Sequence, residues 1–259
     1  MAVVDLNTFT LLEVNPVFTH VLRDDDLVGK TLPELMHPED ACRIKGQQTG
    51  RVLSGTYRFL TTTAGEVIWL SLSATAALEG NNTAYVIAHN ITEDKQKEQE
   101  LFRRAHYDLV TGLPNRHLFE DRVRNGLAQA EREGRRAALL FADLDKFKAV
   151  NDTHGHATGD IVLRVVASRL LNGVRQTDTV SRYAGDEFVI FLSMLRGPEE
   201  IENVVTRLRN SVAQPIAIDQ TEVNVGASFG SAVFPDDASD IEALLTKADE
   251  RMYRQKTNR

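Results

Sequence analysis

The 259-residue chain has a single cysteine, Cys42, so no disulfide can close within it, and one thiol fits a reducing compartment. No apolar run approaches the roughly 18–20 residues that a membrane helix needs. The strongest candidate, Ile68–Leu78, is short and interrupted by Ser and Thr. The N-terminus lacks a basic stretch followed by an apolar core, so no secretory signal is expected. Basic excess is also missing: 30 Lys and Arg stand against 37 Asp and Glu, a formal charge of −7. A surface for phosphate backbones rewards the opposite balance, which argues against a nucleic-acid partner. These absences lead to the expectation of a cytoplasmic protein, whether or not it is part of a longer chain. What is present is ordinary globular material, 42% hydrophobic and 26% charged, enough for one large or two medium domains.

The most informative stretch is Val180–Leu192, VSRYAGDEFVIFL. A small residue plus Gly between two β-prone segments signals a hairpin, with the turn expected at Ala184-Gly185. Two acids, Asp186 and Glu187, follow, and five large apolar residues then suggest a strand buried on both faces. Taken alone, this also describes a charged tip on an ordinary sheet. A second acidic cluster, Asp143-Leu144-Asp145, follows another apolar run, Ala137–Ala142. Two strands that each deliver carboxylates at one end suit a divalent cation, because Mg²⁺ favours one or two carboxylates plus phosphate oxygens and water.

Four blocks in order carry a family resemblance: DLVTGLPNR (108–116), DLDKFKAVNDTHGHATGD (143–160), AGDEF (184–188) and KADERMY (247–253). They resemble the motifs of GGDEF-family diguanylate cyclases over about residues 107–259. The resemblance implies an α+β domain with the palm-like, ferredoxin-related sheet of nucleotide cyclases. It also implies condensation of two GTP into cyclic di-GMP with loss of two pyrophosphates, using Mg²⁺ or Mn²⁺. Carried over by position, Asp143, the Leu144 carbonyl and Asp186 would hold metal. Asp186 would double as general base, and Glu187 would assist. Phe147 and Lys148 would cradle phosphate at a helix start, and Lys148 would also offset transition-state charge. Lys247 and Arg251, one helical turn apart, would reach the triphosphate. Asn151 and Asp160 would read guanine, His156 would shape the pocket, and Gly185 would let the backbone approach phosphate. Arg175 and Asp178 match an R-x-x-D product-inhibition site for cyclic di-GMP, where a planar guanidinium suits bidentate contacts.

Residues 1–92 read as a smaller α+β unit. Ala2–Leu6 and Phe9–Val14 form a hairpin, Pro16 starts a helix, short helical turns run from Pro33 to Asp40, and strands follow at Gly55–Thr61, Val67–Ala76 and Ala84–Asn90. The wording EVNPVF, LVGKTLPELMHPED, GEVIWLSLSATA and NITEDKQKEQE resembles a PAS sensory domain. Its ligand is not named by the sequence; Cys42, His37 and His89 read as ordinary residues rather than cofactor ligands, and Trp69 as a sheet residue. Asn90 stands where that family usually closes with Asp, which puts coupling to the next helix in question. Residues 93–106 have high helix propensity and suit a signalling linker that pairs with its twin in a homodimer.

The departure that matters most is Ala184 in place of the first signature Gly. If the turn needs positive φ there, Ala costs about 1 kcal/mol or more; if φ is negative, it is nearly harmless. The leading reading is a PAS-regulated cyclase. Its rival is an inactive protein that binds GTP or cyclic di-GMP as a receptor.

Overall fold

The computed structural model describes residues 1–45, 54–61, 65–76, 82–197, 199–218 and 221–257. The expected turn residues Ala64 and Gly80-Asn81, and Pro198 at the start of a helix, lie outside them. The chain divides into two compact units, Met1–Leu101 and Phe102–Arg259. The division falls inside the expected linker segment rather than at its edges.

The first unit is a five-stranded antiparallel sheet in the order β2-β1-β5-β4-β3. The strands are β1 Ala2–Asp5, β2 Leu11–Val14, β3 Gly55–Leu60, β4 Val67–Ala76 and β5 Thr83–Asn90. Helices α1 Pro16–Leu22, α2 Leu32–Leu35 and α3 Pro38–Lys45 lie between β2 and β3 in sequence. α1 begins as its sequence predicts, with Pro16 at the first position and Asn15 Oδ1 accepting from Phe18 N at 3.1 Å. The short turns expected to end at Asp40 continue as α3 to Lys45. Asp40 explains the extension: it is buried and accepts from Arg58 N at 2.8 Å and Arg58 Nε at 2.9 Å, fastening α3 to β3. Trp69 stands opposite Arg58 in the sheet, with the guanidinium carbon 5.7 Å from its ring centroid. Cys42 is exposed on α3.

Asn90 caps the start of α4, Thr92–His106. Its Oδ1 accepts from Thr92 N at 3.0 Å and Thr92 Oγ1 at 2.6 Å, while Thr92 Oγ1 accepts from Trp69 N at 2.9 Å. The amide oxygen therefore serves as the acceptor that a carboxylate would supply. α4 buries none of its residues, and Leu101 and Phe102 are exposed.

The second unit is built on a four-stranded antiparallel sheet, order β11-β6-β8-β7. These strands are β6 Arg136–Asp145, β7 Thr179–Ala184, β8 Glu187–Leu195 and β11 Gly226–Phe234. Alternation along β6 sends Ala138, Leu140, Ala142 and Leu144 to one core, with α7 His156–Asn172 and α8 Glu199–Val212. Ala137, Leu139 and Phe141 face a second core, with α5 Arg116–Arg132 and α9 Ile241–Thr257. Burial on both faces explains the unbroken apolar runs of β6 and β8. The strand expected over Glu222–Val233 is split. β10 Thr221–Val223 pairs with β9 Ile216–Ile218 in a separate ribbon, and β11 begins at Gly226.

α9 approaches β11 so closely at Gly230 that an added Cβ would overlap the Ala248 carbonyl oxygen and the Met252 nitrogen, both backbone atoms. Neither can swing aside. Gly230→Ala is expected to destabilise this unit by about 3 kcal/mol through overpacking. The urea midpoint measures it, and an unchanged midpoint would contradict this packing.

Candidate active site

Antiparallel pairing sets the end of β6 beside the start of β8, with Asp143 directly opposite Glu187. Asp143 keeps the phase of Leu139 and Phe141 and so lies on the α9 side of the sheet. There Lys256, near the end of α9, donates to Asp143 Oδ1. Burial pushes the Asp143 carboxyl above its ordinary range, and Asp186 and Asp145 add to it, together outweighing the pull of Lys256. Glu187 is raised by burial and then by Asp143, Asp249 and Asp186. Burial works against the Lys256 ammonium, but Asp143 prevails and raises its pKa. Asp145 Oδ1 accepts from Ser228 Oγ on β11 at 2.7 Å.

The hairpin differs by one residue from its sequence expectation. Ala184 pairs with Glu187, so the two-residue turn is Gly185-Asp186. Gly185 takes the positive φ (+47°) that the first position of a primed turn favours, whereas Ala184 is not among the described residues with positive φ. The methyl at Ala184 therefore carries no left-handed penalty. Asp186 lies in the turn itself, and its carbonyl accepts from Leu144 N at 3.2 Å.

Arg182 braces this turn. Its Nε donates to the Gly185 carbonyl at 2.8 Å, and its Nη1 contacts both Asp108 oxygens at 3.1 and 3.0 Å. Asp108 also accepts from Thr111 N at 2.8 Å and Thr111 Oγ1 at 2.7 Å. Burial alone would raise Asp108, but Thr111 and Arg182 outweigh it and hold its pKa below the ordinary value. The DLVTGLPNR block thus anchors the signature turn, a role that its match alone did not reveal.

Phe147, Lys148, Asn151, His156, Asp160, Gly185 and Asp186 line one cavity of about 320 Å³, together with Leu163 and Arg182. α6, Phe147–His154, supplies the first three; Lys146 ahead of it takes a left-handed φ of +59° that turns the chain from β6 into the helix. α7 supplies His156 and Asp160. Gly159 lets the two helices meet, since a Cβ there would strike Asn151 Oδ1. Seven of the residues singled out by sequence are therefore brought together.

Lys247 and Arg251 are engaged elsewhere. Lys247 Nζ donates to the Asp237 carbonyl; Arg251 donates to Ser231 O and to both Asp237 carboxylate oxygens, each at 2.7 Å. The α9 cation on Asp143 is Lys256, which sequence reasoning missed. It lies five residues beyond Arg251, about 7.5 Å of helix rise.

Arg175 and Asp178 line a separate cavity of about 640 Å³ with Arg196, Arg207, Glu200 and Asn203 among its walls. Their side chains do not pair. Asp178 accepts from Arg175 N at 2.9 Å and Ser193 N at 3.1 Å, which fixes the loop. The Arg175 guanidinium is held by Glu200, whose other oxygen accepts from Arg196 N at 2.8 Å.

Comparison with known proteins finds relatives for the second unit. The family model described as "Diguanylate cyclase, GGDEF domain" matches residues 105–259. The bifunctional diguanylate cyclase/cyclic di-GMP phosphodiesterase MucR of Pseudomonas aeruginosa is 42% identical over 158 residues, which is 61% of this chain and 23% of MucR. Diguanylate cyclase TpbB of the same species is 36% identical over 160 residues, 61% of this chain and 37% of TpbB. The chain thus spans well under half the length of these relatives. Among solved structures, the GGDEF domain of TpbB superposes with TM-score 0.58 at 36% identity, covering 60% of this chain and 90% of that one. The coiled coil and GGDEF domain of DgcB from Caulobacter crescentus, in complex with cyclic di-GMP, gives TM-score 0.58 at 26% identity, covering 65% and 89%.

The crowding of carboxylates has a cost that pH exposes. Glu187 has a raised folded-state pKa, so its contribution is favourable below the unfolded carboxylate pKa and is lost as pH rises through the folded value. Glu187→Gln is expected to stabilise the protein at pH 7 by up to about 1 kcal/mol after allowance for solvent screening, with the gain vanishing near pH 3. Urea unfolding at the two pH values measures this; equal effects at both would contradict the crowding.

Proposed function

The chain belongs to the GGDEF diguanylate cyclase family, and on that premise we propose that it condenses two GTP into cyclic di-GMP and two pyrophosphates. The observation that carries the proposal is the single cavity joining Asn151 and Asp160 to the signature residues Gly185 and Asp186, one turn away from the Asp143–Glu187 pair. A receptor would need the base pocket, but not a cluster of mutually repelling acids beside it.

Asn151 and Asp160 are suited to guanine: the carboxylate accepts from N1–H and N2–H₂, and the amide donates to the ring's acceptors. His156 bounds the base. The N–H groups of Phe147 and Lys148, which open α6, suit phosphate oxygens, with Lys148 adding charge where the transition state needs it. Among the described residues, no three His, Cys, Asp or Glu side chains form a ready metal cage. The donor set nevertheless fits Mg²⁺ or Mn²⁺: hard oxygens from Asp143, Asp186 and the Leu144 carbonyl leave positions for phosphate and water. An ammonium already rests on Asp143, which supports a cation there. Such an ion, when bound, would neutralise phosphate charge and acidify the attacking 3′-hydroxyl. Asp186 would accept that hydroxyl's proton, and Glu187 would add to the negative field that holds the ion. Lys247 and Arg251 would have to leave Asp237 to reach a triphosphate.

Each subunit has one such guanine pocket, so joining two nucleotides calls for a homodimer that presents two GTP molecules to each other. The uncovered α4, with Leu101 and Phe102 exposed, supports pairing through residues 93–106. The sheet order β2-β1-β5-β4-β3 and the helices between β2 and β3 support a PAS reading of residues 1–92, with residues 107–259 as the cyclase domain. The arginine-lined cavity at Arg175 and Asp178 supports feedback by product.

Incubation with Mg²⁺ and GTP, after bound product has been stripped, tests the reading by chromatography. Cyclic di-GMP is expected from the wild type, with a loss of at least about 100-fold in Asp186→Ala. Arg175→Ala should raise the cyclic di-GMP needed for half-inhibition by about tenfold while leaving initial rates intact. No product from stripped wild-type protein, with cyclic di-GMP still bound, would favour the receptor.

A further inference from the structure

Lys256 has no place in the mechanism above, yet its ammonium sits on the carboxylate that would hold the metal. Its position is imposed by the fold. α9 is pressed against β11 at Gly230, and Met252 is buried beneath it. Gln255 Oε1 accepts from Phe229 N at 3.0 Å and from Arg209 Nη2 at 3.3 Å. The residue after Gln255 therefore emerges at a fixed point beside the end of β6. The Asp143 side chain is only 13% exposed, against 39% for Lys256, so the carboxylate is largely withdrawn from water while the ammonium stays partly screened by it. Lys247 and Arg251 are committed to Asp237 and do not share this role. The carboxylates that act on Asp143 and Glu187 include Asp145, Asp186 and Asp249, an excess of negative charge that one ammonium offsets in part.

We infer that Lys256 is an internal stand-in for the divalent cation: its ammonium occupies Asp143 in the nucleotide-free protein and must give way before metal is held there. The inference rests on the metal reading of Asp143. Metal and Lys256 compete for the same carboxylate oxygens, so the ion alone binds weakly. Incoming phosphates offer Lys256 a new anionic partner as the ion takes its place. Nucleotide and metal are thereby made to bind together.

Competition of this kind is read without turnover. Mn²⁺ is titrated into the full chain in the absence of nucleotide, with free Mn²⁺ followed by electron paramagnetic resonance. Lys256→Met and, as a polar alternative, Lys256→Gln are expected to bind Mn²⁺ about tenfold more tightly than the wild type. Lys256→Arg, which keeps the charge, should stay near the wild-type affinity, and Asp143→Asn should abolish the site in every background. Unchanged or weaker binding by Lys256→Met and Lys256→Gln, still lost with Asp143→Asn, would overturn the role of Lys256 and leave the metal reading standing. Binding that is indifferent to Asp143→Asn would overturn both.

Discussion

Electrostatic repulsion among carboxylates, concentrated where β6 ends and β8 begins, is the constraint to which the rest of the second unit answers. Antiparallel pairing puts Asp143 against Glu187, and the tight turn adds Asp186. Partial burial makes this charge more costly than it would be at a surface. A fold tolerates such an arrangement only if the surrounding elements over-determine it. Two apolar cores grip β6 and β8 from opposite faces, and neither strand can slip in register without turning its apolar side chains out of both.

Several smaller devices serve the same end. Arg182 links the turn carbonyl to Asp108, so the conformation of Gly185-Asp186 is tied to a loop some seventy residues earlier in sequence. Gly159 brings α7 against α6 and thereby closes the cavity around Asn151. Gly230 brings α9 onto the sheet and delivers Lys256 to Asp143. Stability is thus spent at one edge and recovered in packing elsewhere, the usual relation between a functional site and its scaffold.

Much of this was legible in the sequence. Acids at the mouths of two apolar runs marked the site, and the spacing from Phe147 to Asp160 placed residues that do line one cavity. The turn was misplaced by one residue because Ala and Gly are both small, and only pairing with Glu187 shows which of them is a strand residue. Lys256 was not legible: its partner lies 113 residues away, and a lysine near the end of a polar helix resembles any solvated cation. The same holds for Glu200, which engages Arg175 from a different element. In the first unit, Asp40 was only the expected end of a stretch of helical turns, yet it is the buried link between α3 and β3. Motifs report residues that act on ligands; contacts between distant elements leave no local pattern.

The central claim is that guanine and metal are held on opposite sides of one turn, at Asn151 and Asp160 and at Asp143 and Asp186. A crystal structure of the protein with Mn²⁺ and a non-reactive GTP analogue tests it most directly, because the anomalous signal of Mn²⁺ fixes the ion independently of the nucleotide. The account predicts an anomalous peak within bonding distance of Asp143 and Asp186, the base in contact with Asn151 and Asp160, and Lys256 displaced from Asp143. A peak away from both carboxylates, or a base seated outside the cavity lined by Asn151, would contradict it.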